Sequence, residues 1–180
     1  MAVSPTAASP TATAVRPKTS KPGALLLAAL LLAVSPPAFA PAAARPPVPA
    51  GKPQAGLKVV PLTLKTSAGK RHLYKVEVAA TEAQQAHGMM FRTSVPEGTG
   101  MIFPMQPPRQ ASFWMENTLV PLDLLFIGAD GRIRNIVSGA VPLSRAPLNS
   151  VGPIIAVLEL AGGEAERIGA KPGDKVIWPH

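Results

Sequence analysis

The polar residues Asn117, Thr118 and Asp123 stand in a segment, residues 113–123, whose other residues are mostly apolar. A polar group that is buried without a partner costs about 1–3 kcal/mol, so these groups must either fix the fold or contact a ligand. An aromatic pair lies near the start of the same segment, and a later apolar run carries one glutamate. An apolar surface with a few polar groups is typical of a small-molecule site. The candidate ligand-binding residues are therefore Trp114, Asn117, Thr118, Asp123 and Glu159.

Asp123 and Glu159 also allow an alternative, a small hydrolase, because two carboxylates in different environments can act as acid and base. The structural alternative is that these carboxylates, together with Glu77, bind backbone groups or pair with Arg92, Asn117 or Thr118. Trp114 likewise either stacks on a ligand or packs in the core. The sequence contains no Gly-rich phosphate loop, no Gly-x-Ser-x-Gly pattern and no His-Glu-x-x-His pattern, so we assign no catalytic residue.

The methionines suggest a third hypothesis, because five of the six lie between residues 89 and 115. Thioethers bind Cu(I), and Met101, Met105 and Met115 are the candidate ligands. Methionine also fills irregular cores, which is the structural alternative. The three histidines are far apart in the sequence and cysteine is absent, so we predict no zinc site and no cofactor.

The charge is distributed unevenly along the chain. The net charge is +8, but residues 1–56 carry five basic residues and no acidic one. Residues 57–180 carry thirteen basic and ten acidic residues, a net charge of +3. The part that folds is therefore only mildly basic and has no Lys/Arg run, and we expect no nucleic-acid partner.

Residues 1–40 have the pattern of a secretory signal peptide. Basic residues precede an apolar run at residues 24–34, and Ala38-Phe39-Ala40 is a small-x-small cleavage site. Eleven residues rise only about 16 Å as a helix, too short for a hydrocarbon core of about 30 Å. We therefore predict cleavage after Ala40 and no stable membrane insertion afterwards. Residues 41–56 are rich in proline and alanine and are predicted to be a disordered linker.

Residues 57–180 are predicted to form one domain. Alternating apolar residues indicate a first hairpin, Thr81 and Gln84 have the spacing of a capping box, and Asp130-Gly131 is a hairpin turn. The helix after Thr81 is expected to present Ala83, Ala86, His87 and Met90, at i, i+3, i+4 and i+7, on one apolar face. We predict an α+β, β-rich fold, a mostly antiparallel barrel-like or folded sheet of about seven to eight short strands with two short helices.

Several short motifs make residues 57–178 similar to the family called domain of unknown function 192. The matching motifs are Gly88-Met89-Met90-Phe91-Arg92, Gly100-Met101-Ile102-Phe103, Phe113-Trp114-Met115, Asn117-Thr118, Pro121-Leu122-Asp123, Asp130-Gly131, Val157-Leu158-Glu159-Leu160 and Gly173-Asp174. The resemblance implies a β-rich fold, often found in secreted or membrane-tethered proteins, with no established activity.

We therefore expect a monomeric, exported binding or accessory domain, periplasmic or secreted. Its partner would be a small molecule or a protein of the cell envelope. The carboxylate hydrolase and the Cu(I)-binding protein remain as alternatives.

Overall fold

The computed structural model describes residues 50–179. The predicted signal peptide and residues 41–49 of the predicted linker lie outside this part of the chain. Within residues 50–179, no helix is long and apolar enough to cross a membrane.

The domain contains nine strands and two short helices among the described residues. In chain order they are β1 (Val59–Lys65), β2 (Arg71–Val78), α1 (Glu82–His87), β3 (Thr99–Arg109), β4 (Ser112–Phe113), β5 (Leu122–Ile127), β6 (Ile133–Ala140), β7 (Leu148–Asn149), β8 (Ile154–Ala161), α2 (Glu164–Ile168) and β9 (Lys175–Ile177).

Seven strands form one curled sheet in the order β6-β5-β8-β3-β2-β1-β9, and β4 pairs with β7 in a small second sheet. A bridge between Arg132 and Lys175 brings the two edges of the large sheet together at one end. The half-barrel confirms the predicted β-rich α+β class. One pair, β2 with β3, is parallel, because α1 lies in the connection between them.

Alternation along the strands divides the apolar residues into two cores, one on each face of the large sheet. In β5, Leu125 and Ile127 belong to the first core, which collects residues from both edge strands and lies inside the curl. Leu122, Leu124 and Phe126 belong to the second core, on the outer face. All six residues of β5 are buried, because both of its faces are covered.

Local signals for turns and caps are confirmed. Thr81 and Gln84 form the capping box at the start of α1, and the turn at Asp130-Gly131 joins β5 to β6. The predicted apolar face of α1 is wrong, since Ala83 and Ala86 are exposed. The Gln85 amide fastens the helix instead, donating to the carbonyl of Pro104 at 2.7 Å and to that of Ala79 at 3.1 Å.

The segment 113–121 is not the strand that its composition suggests. Only Ser112–Phe113 is extended and paired, and a turn follows at Met115–Thr118. Conversely, β3 continues to Arg109 through a stretch with three prolines. The strand continues because its pairing with β8 shifts register between Pro104 and Arg109, which accommodates residues that lack an N–H group.

The last residues of the predicted linker contact the domain. The side-chain amide of Gln54 donates to the carbonyls of Gln84 at 3.0 Å and Gly88 at 2.8 Å, and the ring of Phe91 packs directly against Gly51. Residues 50–56 therefore run along the C-terminal end of α1.

Candidate functional site

A cleft of about 510 Å³ opens on the outer face of the large sheet. Its walls come from the end of α1, the end of β3, the small sheet and the loop before β7. Apolar and aromatic side chains dominate the inner surface: Met89, Met90, Phe103, Met105, Phe113 and Trp114. The polar side chains are Gln85, His87, Arg109, Gln110, Ser112, Glu116, Thr118, Arg145 and Glu159. This size and composition suit a small organic molecule.

Glu159 is the buried acidic group of the cleft. It lies in β8 opposite Met101 of β3 and Leu124 of β5, so its side chain points to the outer face among second-core residues. Glu159 is 5% exposed, and no described residue forms a hydrogen bond with its carboxyl group. Burial raises the pKa of the Glu159 carboxyl to about 8, opposed only partly by the positive charge of Arg92. At neutral pH the group is therefore mostly protonated and can donate a hydrogen bond into the cleft.

Arg92 is held beside Glu159 by another carboxylate. Glu77 lies in the same cross-strand row, opposite Met101, and its carboxylate pairs with Arg92 at 2.7 Å. This contact is one of the structural pairs that the sequence suggested. Arg92 is thus paired with Glu77, and its charge opposes the effect of burial on Glu159 without cancelling it.

Asp123 does not lie in the cleft. Leu124 is opposite Glu159 in the sheet, so Asp123, one residue earlier, points to the opposite face. There Oδ1 accepts hydrogen bonds from the backbone N–H of Gly139 at 2.7 Å and Gly163 at 3.1 Å, and Oδ2 accepts one from Ala165 at 2.7 Å. Asp123 is completely buried. It acts as a structural group that caps α2 from the sheet and fixes the end of β6.

The turn at Asn117 forms a tightly held wall of the cleft. Asn117 has a positive φ of 54°, and its carbonyl accepts from the backbone N–H of Phe91, which has φ 63°. The next carbonyl, of Thr118, accepts from Leu143, which also has φ 63°. These three are the non-glycine residues with positive φ in the described chain. Such strain persists only where surrounding contacts impose it, and it concentrates at functional sites.

Asn117 and Thr118 therefore have mainly a backbone role. The Asn117 amide contacts the sulfur of Met90 at 3.7 Å, and Asn117 is not among the residues that line the cleft. Thr118 is buried but lines the cleft. Of the five candidate residues, the structure brings Trp114, Thr118 and Glu159 to one cavity and places Asn117 behind its wall and Asp123 on the other face.

Trp114 is 54% exposed, so it does not pack in the core. It stands at the mouth of the cleft beside Phe113, whose ring contacts Phe103 and Phe126 edge to face at 5.2 and 6.3 Å. The aromatic surface of the cleft is thus continuous with the second core and is held rigidly from below.

The charged residues at the mouth were not identified from the sequence. Arg145 pairs with Glu116, whereas Arg109 is exposed and forms no ion pair with any residue from 50 to 179. Arg109 and Arg145 belong to segments 36 positions apart in the chain, so no local spacing relates them. The motif at residues 88–92 and the helix predicted after Thr81 were the sequence signals for the α1 wall.

Met101, Met105 and Met115, the candidate copper ligands, are all buried in the second core. The Met101 sulfur receives a contact at 3.7 Å from the Gln54 amide. No group of three or more His, Asp or Glu side chains suitable for a metal occurs within the described residues. The methionines thus have a packing role that accounts for their burial.

Two crystal structures resemble the chain over most of its length. A protein of unknown function from Novosphingobium aromaticivorans is 48% identical, with a TM-score of 0.68, covering 78% of this chain and 99% of its own. A protein from Sinorhizobium meliloti described as a "putative transcription regulator" is 38% identical, with a TM-score of 0.68, covering 69% of this chain and 97% of its own. The search of curated proteins found no match.

The family comparison agrees with the motifs in the sequence. Residues 63–178 match the family DUF192, described as "Uncharacterized ACR". The match begins within β1, runs past the end of β9 and includes every wall of the cleft. The chain belongs to the DUF192 family.

Proposed function

We propose that this protein is a binding domain that takes a small organic molecule into the cleft at Trp114 and Glu159. The observation that carries the proposal is the environment of the Glu159 carboxyl group. An acidic group that is 5% exposed, lines a cavity and lacks a hydrogen-bond partner among residues 50–179 is costly for the fold. A ligand that accepts its hydrogen bond offsets this cost.

Two further features support the proposal. The exposed Trp114 offers a stacking surface at the mouth. The positive-φ residues Phe91, Asn117 and Leu143 are joined through the turn that forms the cleft wall. A rigid wall keeps the cleft open before the ligand arrives, which reduces the entropic cost of binding.

The alternatives receive less support. The hydrolase hypothesis needs Asp123 and Glu159 in one site, and these two side chains lie on opposite faces of the sheet. The copper hypothesis needs accessible thioethers, whereas Met101, Met105 and Met115 are each at most 2% exposed.

Ligand binding is expected to change the indole N–H signal of Trp114 in an NMR screen of small organic molecules against the full chain. Trp178, which is 7% exposed in the first core, supplies an internal reference signal that should not move.

For compounds that bind, Trp114→Ala should weaken affinity about tenfold, because aromatic contacts contribute about 0.5–1.5 kcal/mol beyond buried area. Its melting temperature should stay close to that of the wild type, since the side chain is half exposed.

Leu73→Ala is the matched control, because Leu73 is 72% exposed on β2 and is not part of the cleft. This substitution removes exposed apolar surface and should leave binding unchanged. A screen in which no compound moves the Trp114 signal, or in which Leu73→Ala weakens binding as much as Trp114→Ala, would contradict the proposal.

We also propose that the protein acts outside the cytoplasm. The support is the basic region, the short apolar run and the small-x-small site of residues 1–40. Expressed in a Gram-negative host with a C-terminal tag, the chain is expected in the periplasmic extract with Pro41 as its first residue. The double substitution of Leu27→Arg and Leu30→Arg in the apolar run should retain the precursor in the cytoplasm. A wild-type chain that stays uncleaved in the cytoplasm would refute export.

A further inference from the structure

The charges around the cleft differ between its mouth and its floor. At the floor, burial raises the pKa of the Glu159 carboxyl to about 8, so the group is mostly uncharged at neutral pH. At the mouth, Glu116 is paired with Arg145. Arg109 has no acidic partner among the described residues and remains as an uncompensated positive charge. Among the carboxyl and guanidinium groups of the cleft, two anchors therefore remain: a hydrogen-bond donor at depth, Glu159, and a cation at the surface, Arg109.

The region between these anchors is apolar. Phe103, Met89 and Met105 are buried below, and Phe113 and Trp114 stand above. An apolar or aromatic body suits this part of the cleft, because these five side chains offer no hydrogen-bond partner to a polar group that loses its hydration.

We propose that the ligand class is an organic monoanion with an apolar or aromatic body, whose anionic group meets Arg109 and whose other end presents a hydrogen-bond acceptor to Glu159. This inference rests on the proposed function, since it assigns a polarity and an orientation to the molecule in the same cleft. An organic cation is disfavoured, because Arg109 repels it at the mouth and a protonated Glu159 offers it no counter-charge.

The acid at the floor also makes binding depend on pH. When Glu159 loses its proton, the cleft loses its donor and gains a negative charge facing an anionic ligand. The other charged or titratable groups that face Glu159 or share its cavity are Glu77 on β2, Arg92 after α1, His87 of α1, Arg109 at the end of β3, and the Glu116–Arg145 pair. Only the loss of the Glu159 proton converts the buried donor into an acceptor.

Three synthetic probes that share one aromatic body test the proposal by calorimetry with the full chain. They are 6-acetyl-2-naphthoate, the neutral 2-acetylnaphthalene and the cationic (6-acetylnaphthalen-2-yl)trimethylammonium. At pH 6.5 we expect the carboxylate to bind about tenfold more tightly than the neutral ketone, the factor that corresponds to one charge-assisted hydrogen bond. The cation should bind more weakly than the ketone.

Two variants locate the anchors. Arg109→Gln should abolish the preference for the carboxylate and leave the affinity for the ketone within about twofold. Arg71→Gln is the matched control, because it removes an exposed arginine at the start of β2, outside the cleft, and should keep the preference. Between pH 6.5 and 9.5 the wild-type affinity for the carboxylate should fall about tenfold, whereas Glu159→Gln, which keeps a donor, should change less than about twofold.

Equal affinity for all three probes, or a preference that survives in Arg109→Gln, would overturn the ligand class and leave cleft binding in place. A wild-type affinity that is constant from pH 6.5 to 9.5 would overturn the role of Glu159. Failure of all three probes to bind would also overturn the ligand class, and the wider screen that follows the Trp114 signal then decides separately whether the cleft binds any molecule.

Discussion

Asp123→Ala is expected to lower the free energy of unfolding by about 3–5 kcal/mol, because it removes the acceptor of three backbone N–H groups. These donors belong to Gly139 at the end of β6 and to Gly163 and Ala165 at the start of α2. The chain has no other cap there, since Gly163 has no side chain to accept a hydrogen bond. Urea denaturation followed by far-UV circular dichroism measures the effect.

Asp123→Asn distinguishes the effect of losing the hydrogen bonds from the effect of losing side-chain volume. Asparagine has nearly the same size, but its NH₂ group cannot accept from a backbone N–H. It should therefore recover only part of the stability that alanine loses. Asp130→Asn, which changes an exposed aspartate in the β5–β6 turn, should leave the denaturation midpoint nearly unchanged. An Asp123→Ala protein within about 1 kcal/mol of the wild type would show that α2 does not depend on this contact.

Glu159→Gln is expected to flatten the dependence of stability on pH in the alkaline direction. The carboxyl has an ordinary pKa of 4.5 and a pKa of about 8 in the folded protein. Between these values the folded state binds more protons than the unfolded state, so the free energy of unfolding decreases as pH rises. The stability associated with the protonated group is complete below pH 4.5 and is lost by the time pH passes about 8.

The difference in unfolding free energy between Glu159→Gln and the wild type should therefore grow from pH 4.5 to 8 and stay constant above it. Its total should be on the order of a few kcal/mol in favour of the variant. Groups common to both proteins cancel in this difference. Glu166→Gln, on the exposed side of α2, removes a carboxylate outside the cleft and serves as the control. A difference that does not change with pH across this window would show that Glu159 is ionised in the folded protein.

Ligand binding and stability are linked at Glu159. A molecule that accepts its hydrogen bond stabilises the protonated state, so binding should raise the melting temperature more at pH 6.5 than at pH 9.5. By contrast, the folded fraction of Asp123→Ala should bind ligands as the wild type does, because Asp123 lies on the other face of the sheet. The two carboxylates that the sequence grouped into one site thus have separate measurable roles.

Short-range patterns were sufficient for the parts of the fold that depend on neighbouring residues. The capping box of Thr81 and Gln84 and the Asp130-Gly131 turn each involve residues at most a few positions apart, and both formed as predicted. The apolar run that carries Glu159 formed β8, in which all residues except Ile155 and Ala161 are buried. Motifs spread along the chain were likewise sufficient to identify the family.

The sequence by itself determined the β-rich class, the family, and three members of the cleft: Trp114, Thr118 and Glu159. Only the tertiary structure decided which face of the sheet each carboxylate occupies, because that depends on the register of β5 against β8, and a shift of one residue reverses every side chain. The tertiary structure also placed Arg109 and Arg145 at one mouth and left Trp114 exposed. Such proximity comes from chain closure between distant segments, which no local spacing in the sequence encodes.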